Sequence, residues 1–203
     1  PVPHVYYYMY TILDIFSRYV VGYLIAQREQ ASLARQLVAD SCTKQGIVPD
    51  QLILHADRGS SMTSKSLALL LADLGIGKSH SRPYTSDDNP FSEAQFKTAC
   101  PEPVVGMKYR PDYPDRFGGL HQARIWARPF FHWYNHEHRH TSLGLMTPAT
   151  VHYGLATELT GKRQAVLTAV YEQHPERFVQ GPPVAPQLPT SVWINPPLEK
   201  DGL

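Results

Sequence analysis

Residues 4–27, HVYYYMYTILDIFSRYVVGYLIAQ, restrict the fold more than any other stretch of the chain. Tyr, Val and Ile crowd into it. Aromatic and β-branched side chains pack well on a pleated surface and lose rotamer freedom on a helix. The run is interrupted at Phe16-Ser17-Arg18. It therefore reads as two strands joined by a short turn, a hairpin.

Beyond the hairpin, helical and strand signals alternate. Residues 32–46, SLARQLVADSCTKQG, space Leu33, Leu37 and Val38 at helical intervals and close on Gly46, a helix stop. Residues 50–57, DQLILHAD, are a short apolar run ending in Asp57 and read as a buried strand. Residues 63–75 start with a Thr/Ser cap, continue through leucines and end at Gly75, a second helix. Residues 77–83, GKSHSRP, read as a short strand stopped by Pro83. Hairpin, helix, strand, helix, strand describes an α/β layer structure whose sheet is partly parallel. Helical signals return over 120–138, 147–156 and 161–173, with Pro148 at a tolerated helix start. From Pro175 the chain is proline-rich and is expected to be extended or partly disordered.

Composition bounds the class. The 203 residues suffice for one generous domain or a domain with an appendage, and 42% of them are hydrophobic, enough for a core. The formal net charge of +1 names no partner, so any DNA contact must come from placement rather than bulk charge. Cys42 and Cys100 stand apart without metal-type spacing, which suits a reducing, cytoplasmic setting. No apolar run is long enough to span a membrane.

Two carboxylates are the candidates for chemistry. Asp57 closes a strand and is followed by small polar residues; in α/β sheets, groups at the carboxyl ends of strands face the crevice where ligands bind. Glu93 lies in DDNPFSEAQFKT (87–98), where Asn89 caps a helix and Pro90 takes its first position. Thirty-five residues lie between Asp57 and Glu93. A strand-end Asp and a helix-borne Glu converging on one crevice would suit hard divalent cations, which take carboxylate oxygens and keep positions open for water and phosphate. Two such ions can steady both the attacking and the leaving oxygen of a phosphoryl transfer. A turn Asp and a Glu that complements the helix dipole are the structural alternative.

LDIFSRYVVGY, HADRGSSMTS, DDNPFSEAQFKT and FFHWYNHEHRHTSLGLMTPATVHYG together resemble the signature blocks of bacterial insertion-sequence transposases with a retroviral-integrase-like catalytic core. The blocks stand in family order over most of residues 6–155. The resemblance implies a ribonuclease H-like fold, a mixed five-stranded sheet flanked by helices, with a helical C-terminal extension. It implies DNA transposition: cleavage at the ends of a mobile element, then attack of the freed 3′-hydroxyl on target DNA. Asp57 and Glu93 would be the catalytic, metal-binding carboxylates of a two-metal site for Mg²⁺ or Mn²⁺. Lys97, one turn after Glu93, would contact a phosphate of the element end. Arg139 and His140 are candidate DNA contacts, beside Trp133 and Tyr134 as packing residues. The alternating His136, His138 and His140 match no standard zinc spacing. Partners would be element-end and target DNA and further copies of the chain.

The chain departs from the family in two places. The family's first catalytic Asp stands on an interior strand upstream of the hairpin, whereas this sequence begins at Pro1, directly before it. The expectation is a core lacking that strand, with neighbouring strands left unpaired. Asp14, in LDIFSR, reads as a strand-end or turn acid that can pair with Arg18; its alternative role is third ligand in a different ribonuclease H-like nuclease. Residues 99–107, ACPEPVVGM, intervene after the Glu93 helix, and Pro101 and Pro103 break any helix there. The expected organisation is a catalytic core over 1–156 and a helix with a proline-rich tail over 157–203. An inactive transposase remnant or DNA-binding module is the rival reading.

Overall fold

The computed structural model describes residues 6–57, 59, 61–81 and 110–194. Their contacts divide into two compact units. The first takes the described residues of Pro1–Leu13, Val20–Arg128 and Trp193–Leu203; the second takes Asp14–Tyr19 and Pro129–Val192.

In the first unit, β1 (Tyr8–Leu13) pairs antiparallel with β2 (Val20–Ala26), from Tyr8 opposite Ala26 to Leu13 opposite Val20. A register shift between Ile12 and Leu13 twists the end of the ladder next to the turn. Helix α1 (Ala31–Gln45) starts where the Tyr10 hydroxyl accepts from the Gln30 amide at 2.7 Å, and it stops at Gly46 with φ 62°. β3 (Ile53–Ala56) and β4 (Gly77–His80) pair in parallel on either side of α2 (Lys65–Asp73). Ser64 caps α2 by accepting from the Leu67 amide, and Gly75 with φ 62° turns the chain into β4. Both stop glycines sit where the sequence signals place them.

The core of this unit gathers Val38 of α1, Leu67 and Leu71 of α2 and Ile76, with Ile12, Leu52 and Leu54 packed against them. Leu67 and Leu71 are essentially fully buried. Each such leucine contributes about 2–3 kcal/mol of transfer free energy. Gly22 lets α1 lie close on β2, since a Cβ there would run into the Ser41 hydroxyl and within 3.1 Å of Leu37 Cδ1.

The strands form two separate two-stranded sheets, β1–β2 and β3–β4. A ribonuclease H-like sheet joins such pairs through an interior strand, and among the described residues no strand takes that position.

Helix α3 (Leu120–His136) crosses from the first unit's residues into the second's and tolerates Pro129 internally. The second unit continues with a 3-10 turn (Thr141–Leu143), α4 (Pro148–His152) and α5 (Ala156–Gln173). The single helix expected over 147–156 ends early. Pro148 opens α4 as expected, with Thr147 as its cap, but Gly154 at φ 73° breaks the rod before α5 begins. Leu143, Met146, Val151 and Ala156 form this unit's core, with Leu159 and Leu188 against it.

After a 3-10 turn at Pro175–Arg177 the proline-rich segment runs on without helix or strand through residue 194, and it is docked. Gln164 of α5 accepts from the Ala185 amide at 2.9 Å and donates to the Pro183 carbonyl at 3.1 Å, and Ala185 is buried. Among the described residues no helix is long and apolar enough to cross a membrane.

Candidate functional site

Asp57 follows the last residue of β3. The strands are parallel and Ala56 lies opposite His80, so both carboxyl ends reach the same side of the pair. This is the end where α/β sheets present ligand-binding groups. Asp57 is exposed there, and the buried Ser81, next after β4, donates its hydroxyl to Asp57 Oδ1 at 3.0 Å. The Ser81 amide donates to the Ala56 carbonyl at 3.3 Å and carries the ladder one step past the strand. Behind them His55 Nε2 lies 3.3 Å from Ser81 Oγ, and His55 Nδ1 lies 2.8 Å from Ser79 Oγ. Ser61 is tied down as well: its amide and hydroxyl both donate to Glu29, just before α1.

Glu93 and Lys97, with the 99–107 insertion, lie outside the described residues. Among the described residues no three His, Cys, Asp or Glu side chains gather as a metal-binding group. Among the described residues Asp57 offers a carboxylate at the strand end, chemistry that fits a hard divalent cation such as Mg²⁺ or Mn²⁺.

Arg139 and His140 belong to the second unit. Arg139 is exposed, and its guanidinium donates to the Leu145 carbonyl at 3.3 Å. Arg163 donates to the Gly144 and Leu145 carbonyls, at 2.5 and 3.0 Å. Gly144 and Leu145 both take positive φ, 59° and 58°, which turns their carbonyls toward these cations. His140 is half-buried, edge-on to Tyr134 and His138. Burial first, then the charges of His138 and Arg18, push its pKa down to about 4. It is therefore a neutral packing ring at physiological pH, unlike the exposed cation beside it. His132 and His136 stack on one another at 4.7 Å.

Asp14 sits at the hairpin turn. Its carboxylate accepts from the Phe16 amide at 3.0 Å and from the fully buried Ser17 hydroxyl, and it contacts His152 Nδ1 at 3.0 Å. Arg18, at φ 61°, donates its backbone amide to the Asp14 carbonyl at 2.8 Å, and its side chain acts on Asp14 through charge. The turn-acid expectation holds, with Ser17 and His152 as the partners that sequence reading did not name. Tyr19 stacks on the His152 ring at 4.3 Å. The signal for the Ser81–His55 pairing was present in the sequence: His55 and Asp57, like Ser79 and Ser81, are two apart, hence on one face of neighbouring strands.

Two family models, both described as integrase core domain, match residues 1–86 and 74–148, and together they take in well over half of the chain. The chain belongs to the integrase core family. This integrase core is 35% identical over 91 residues to the transposase for insertion sequence element IS904 of Lactococcus lactis subsp. lactis (strain IL1403). The match covers 45% of the chain and 36% of that relative, so the chain spans little more than a third of the curated protein it matches. A chain in the cryo-EM structure of the simian T-cell lymphotropic virus intasome in complex with PP2A regulatory subunit B56 gamma aligns with a TM-score of 0.55 at 19% identity. That alignment covers 73% of the integrase core and 49% of the viral-complex chain. At that identity the likeness speaks to fold, and the fold is ribonuclease H-like.

Proposed function

We propose that this integrase core acts in DNA transposition or integration by metal-dependent phosphoryl transfer, with Asp57 and Glu93 as the carboxylates that hold Mg²⁺ or Mn²⁺. The observation that carries this reading is the place of Asp57: first residue past β3, at the carboxyl end of a parallel pair, exposed and oriented by Ser81. A bound divalent ion supplies charge neutralisation at the phosphorus and activation of the attacking oxygen. Asp57 and Glu93 provide the hard ligands, and the rigid β3–β4 pair holds Asp57 still. Lys97 and the exposed Arg139 carry the phosphate contacts to element-end and target DNA, while His140 packs against Tyr134 and His138. Further copies of the chain complete the active assembly.

Metal titration tests this. Calorimetry of the 203-residue chain with Mg²⁺ and Mn²⁺ is expected to show saturable binding, reduced at least tenfold in both Asp57→Ala and Glu93→Ala. Binding that survives Asp57→Ala in a folded chain would overturn the assignment.

A second reading, a non-catalytic DNA-binding remnant, is favoured by Asp14. The hairpin's carboxylate is engaged by Ser17, the Phe16 amide and His152. On this reading a folded chain binds DNA with a steep salt dependence and takes up no divalent ion.

A further inference from the structure

The polar residues behind Asp57 have a direction. A carboxylate accepts hydrogen bonds and has none to give. The Ser81 hydroxyl hydrogen is therefore committed to Asp57 Oδ1, 3.0 Å away. That leaves the Ser81 oxygen as an acceptor toward His55 Nε2, 3.3 Å away, which places the ring hydrogen on Nε2. A neutral imidazole with hydrogen on Nε2 accepts at Nδ1, and Nδ1 lies 2.8 Å from the Ser79 hydroxyl. Ser79 gives to His55, His55 to Ser81, Ser81 to Asp57. Each link points the same way and the run ends on the carboxylate.

His55 and Ser79 stand opposite one another on two hydrogen-bonded parallel strands, and Asp57 and Ser81 lie one residue past the strand ends. They inherit the stiffness of the backbone ladder. Ser81 is only 7% exposed, so water competes little for its hydroxyl. Asp57, by contrast, is exposed. An exposed aspartate on a loop samples several staggered rotamers.

We propose that Ser81, oriented by His55 and Ser79, is a positioning residue that holds Asp57 in one rotamer at the mouth of the β3–β4 pair. It acts through Asp57 and needs no contact with a substrate. The proposal deepens the reading of Asp57 as the functional carboxylate and rests on that reading for its purpose, though its geometry can be measured without a metal.

The test compares the full chain with Ser81→Ala, Ser81→Thr and His55→Ala. Three-bond couplings to the Asp57 side-chain carboxyl carbon report its first side-chain torsion by NMR, and Mg²⁺ calorimetry reports the site. The expected result is one rotamer in the parent chain and averaged couplings in Ser81→Ala, with about tenfold weaker Mg²⁺ binding. Ser81→Thr, which keeps the hydroxyl, restores both, and His55→Ala falls between. A single unchanged rotamer in folded Ser81→Ala overturns the proposal, whatever the metal does. Averaged couplings in Ser81→Ala, in a chain whose parent takes up no Mg²⁺, uphold the positioning role and sink the metal reading instead. If Ser81→Ala fails to fold, Ser81→Cys, close in volume and a weaker donor, decides by the same couplings.

Discussion

Asp14 and His152 stand 138 residues apart in the chain, yet Asp14 Oδ2 and His152 Nδ1 are 3.0 Å apart. The contact ties the hairpin turn to the end of α4, and both groups belong to the second compact unit. Burial alone would raise the Asp14 pKa. The hydrogen bonds from Ser17, His152 and the Phe16 amide outweigh it, and the carboxyl lies below its ordinary value.

Replacing Asp14 by alanine is expected to cost about 2 kcal/mol, because the Ser17 hydroxyl, fully buried, loses its acceptor. Urea unfolding at neutral pH measures this. A depressed carboxyl stabilises the native state above the unfolded-chain pKa, near 4, and that contribution fades as pH falls through the lower native value. Asp14→Asn should therefore lose stability at pH 7 and show a shallower decline below about pH 4 than the parent.

His140 works in a different window. Its pKa of about 4 lies below that of an unfolded histidine, so the unfolded chain binds the extra proton first. Stability should fall as pH drops from about 6.5 toward 4, by roughly 1–2 kcal/mol at pH 5. His140→Phe keeps a ring against Tyr134 and His138 and removes the titration. Thermal melts of parent and variant at pH 7 and pH 5 should show the gap between the two pH values shrink in the variant.

The contact of β2 with α1 predicts a compensating pair. Gly22→Ala brings a methyl onto the Ser41 hydroxyl and close to Leu37, a clash expected to cost about 1–3 kcal/mol. Ser41→Ala removes the nearest atom. The double variant should recover part of the loss, and a double-mutant cycle by denaturant unfolding reads the coupling directly.

Much of the first unit was legible in the sequence because its signals are local. Crowded β-formers around Phe16-Ser17-Arg18 gave the hairpin, and leucines at helical spacing closed by Gly46 and Gly75 gave α1 and α2. Asp57 was visible as the acid at a strand end. The contacts that sequence reading did not name join residues far apart. His152 reaches Asp14 across 138 positions, and Ser81 reaches Asp57 across 24, so no window of periodicity contains both partners. The break at Gly154 hid in a helical-looking run, since a lone glycine can be tolerated inside a helix as well as end one. The tail was read from composition, and proline content says that a segment is extended without saying what it lies against.

Gln164 supplies the fourth prediction. Its amide pairs with Pro183 and Ala185 as a neighbouring strand would, one acceptor and one donor. Gln164→Ala should cost about 1–2 kcal/mol and speed hydrogen exchange at the Ala185 amide at least tenfold. Gln164→Glu keeps the acceptor and sets a carboxylate against the Pro183 carbonyl, so it should loosen the tail as much or more.

Leu188 docks by its side chain, but between Pro183 and Ala185 the docking is written in the main chain. Gln164 addresses a carbonyl and an amide that almost any residue would offer, while at Gly144 an added Cβ would press on Pro186 at 3.2 Å. Drift among the tail's exposed residues should pass almost unnoticed across related chains. Inserting or deleting one residue between Gly181 and Ala185 should not, because it shifts the whole phrase out of step with the Gln164 side chain that reads it.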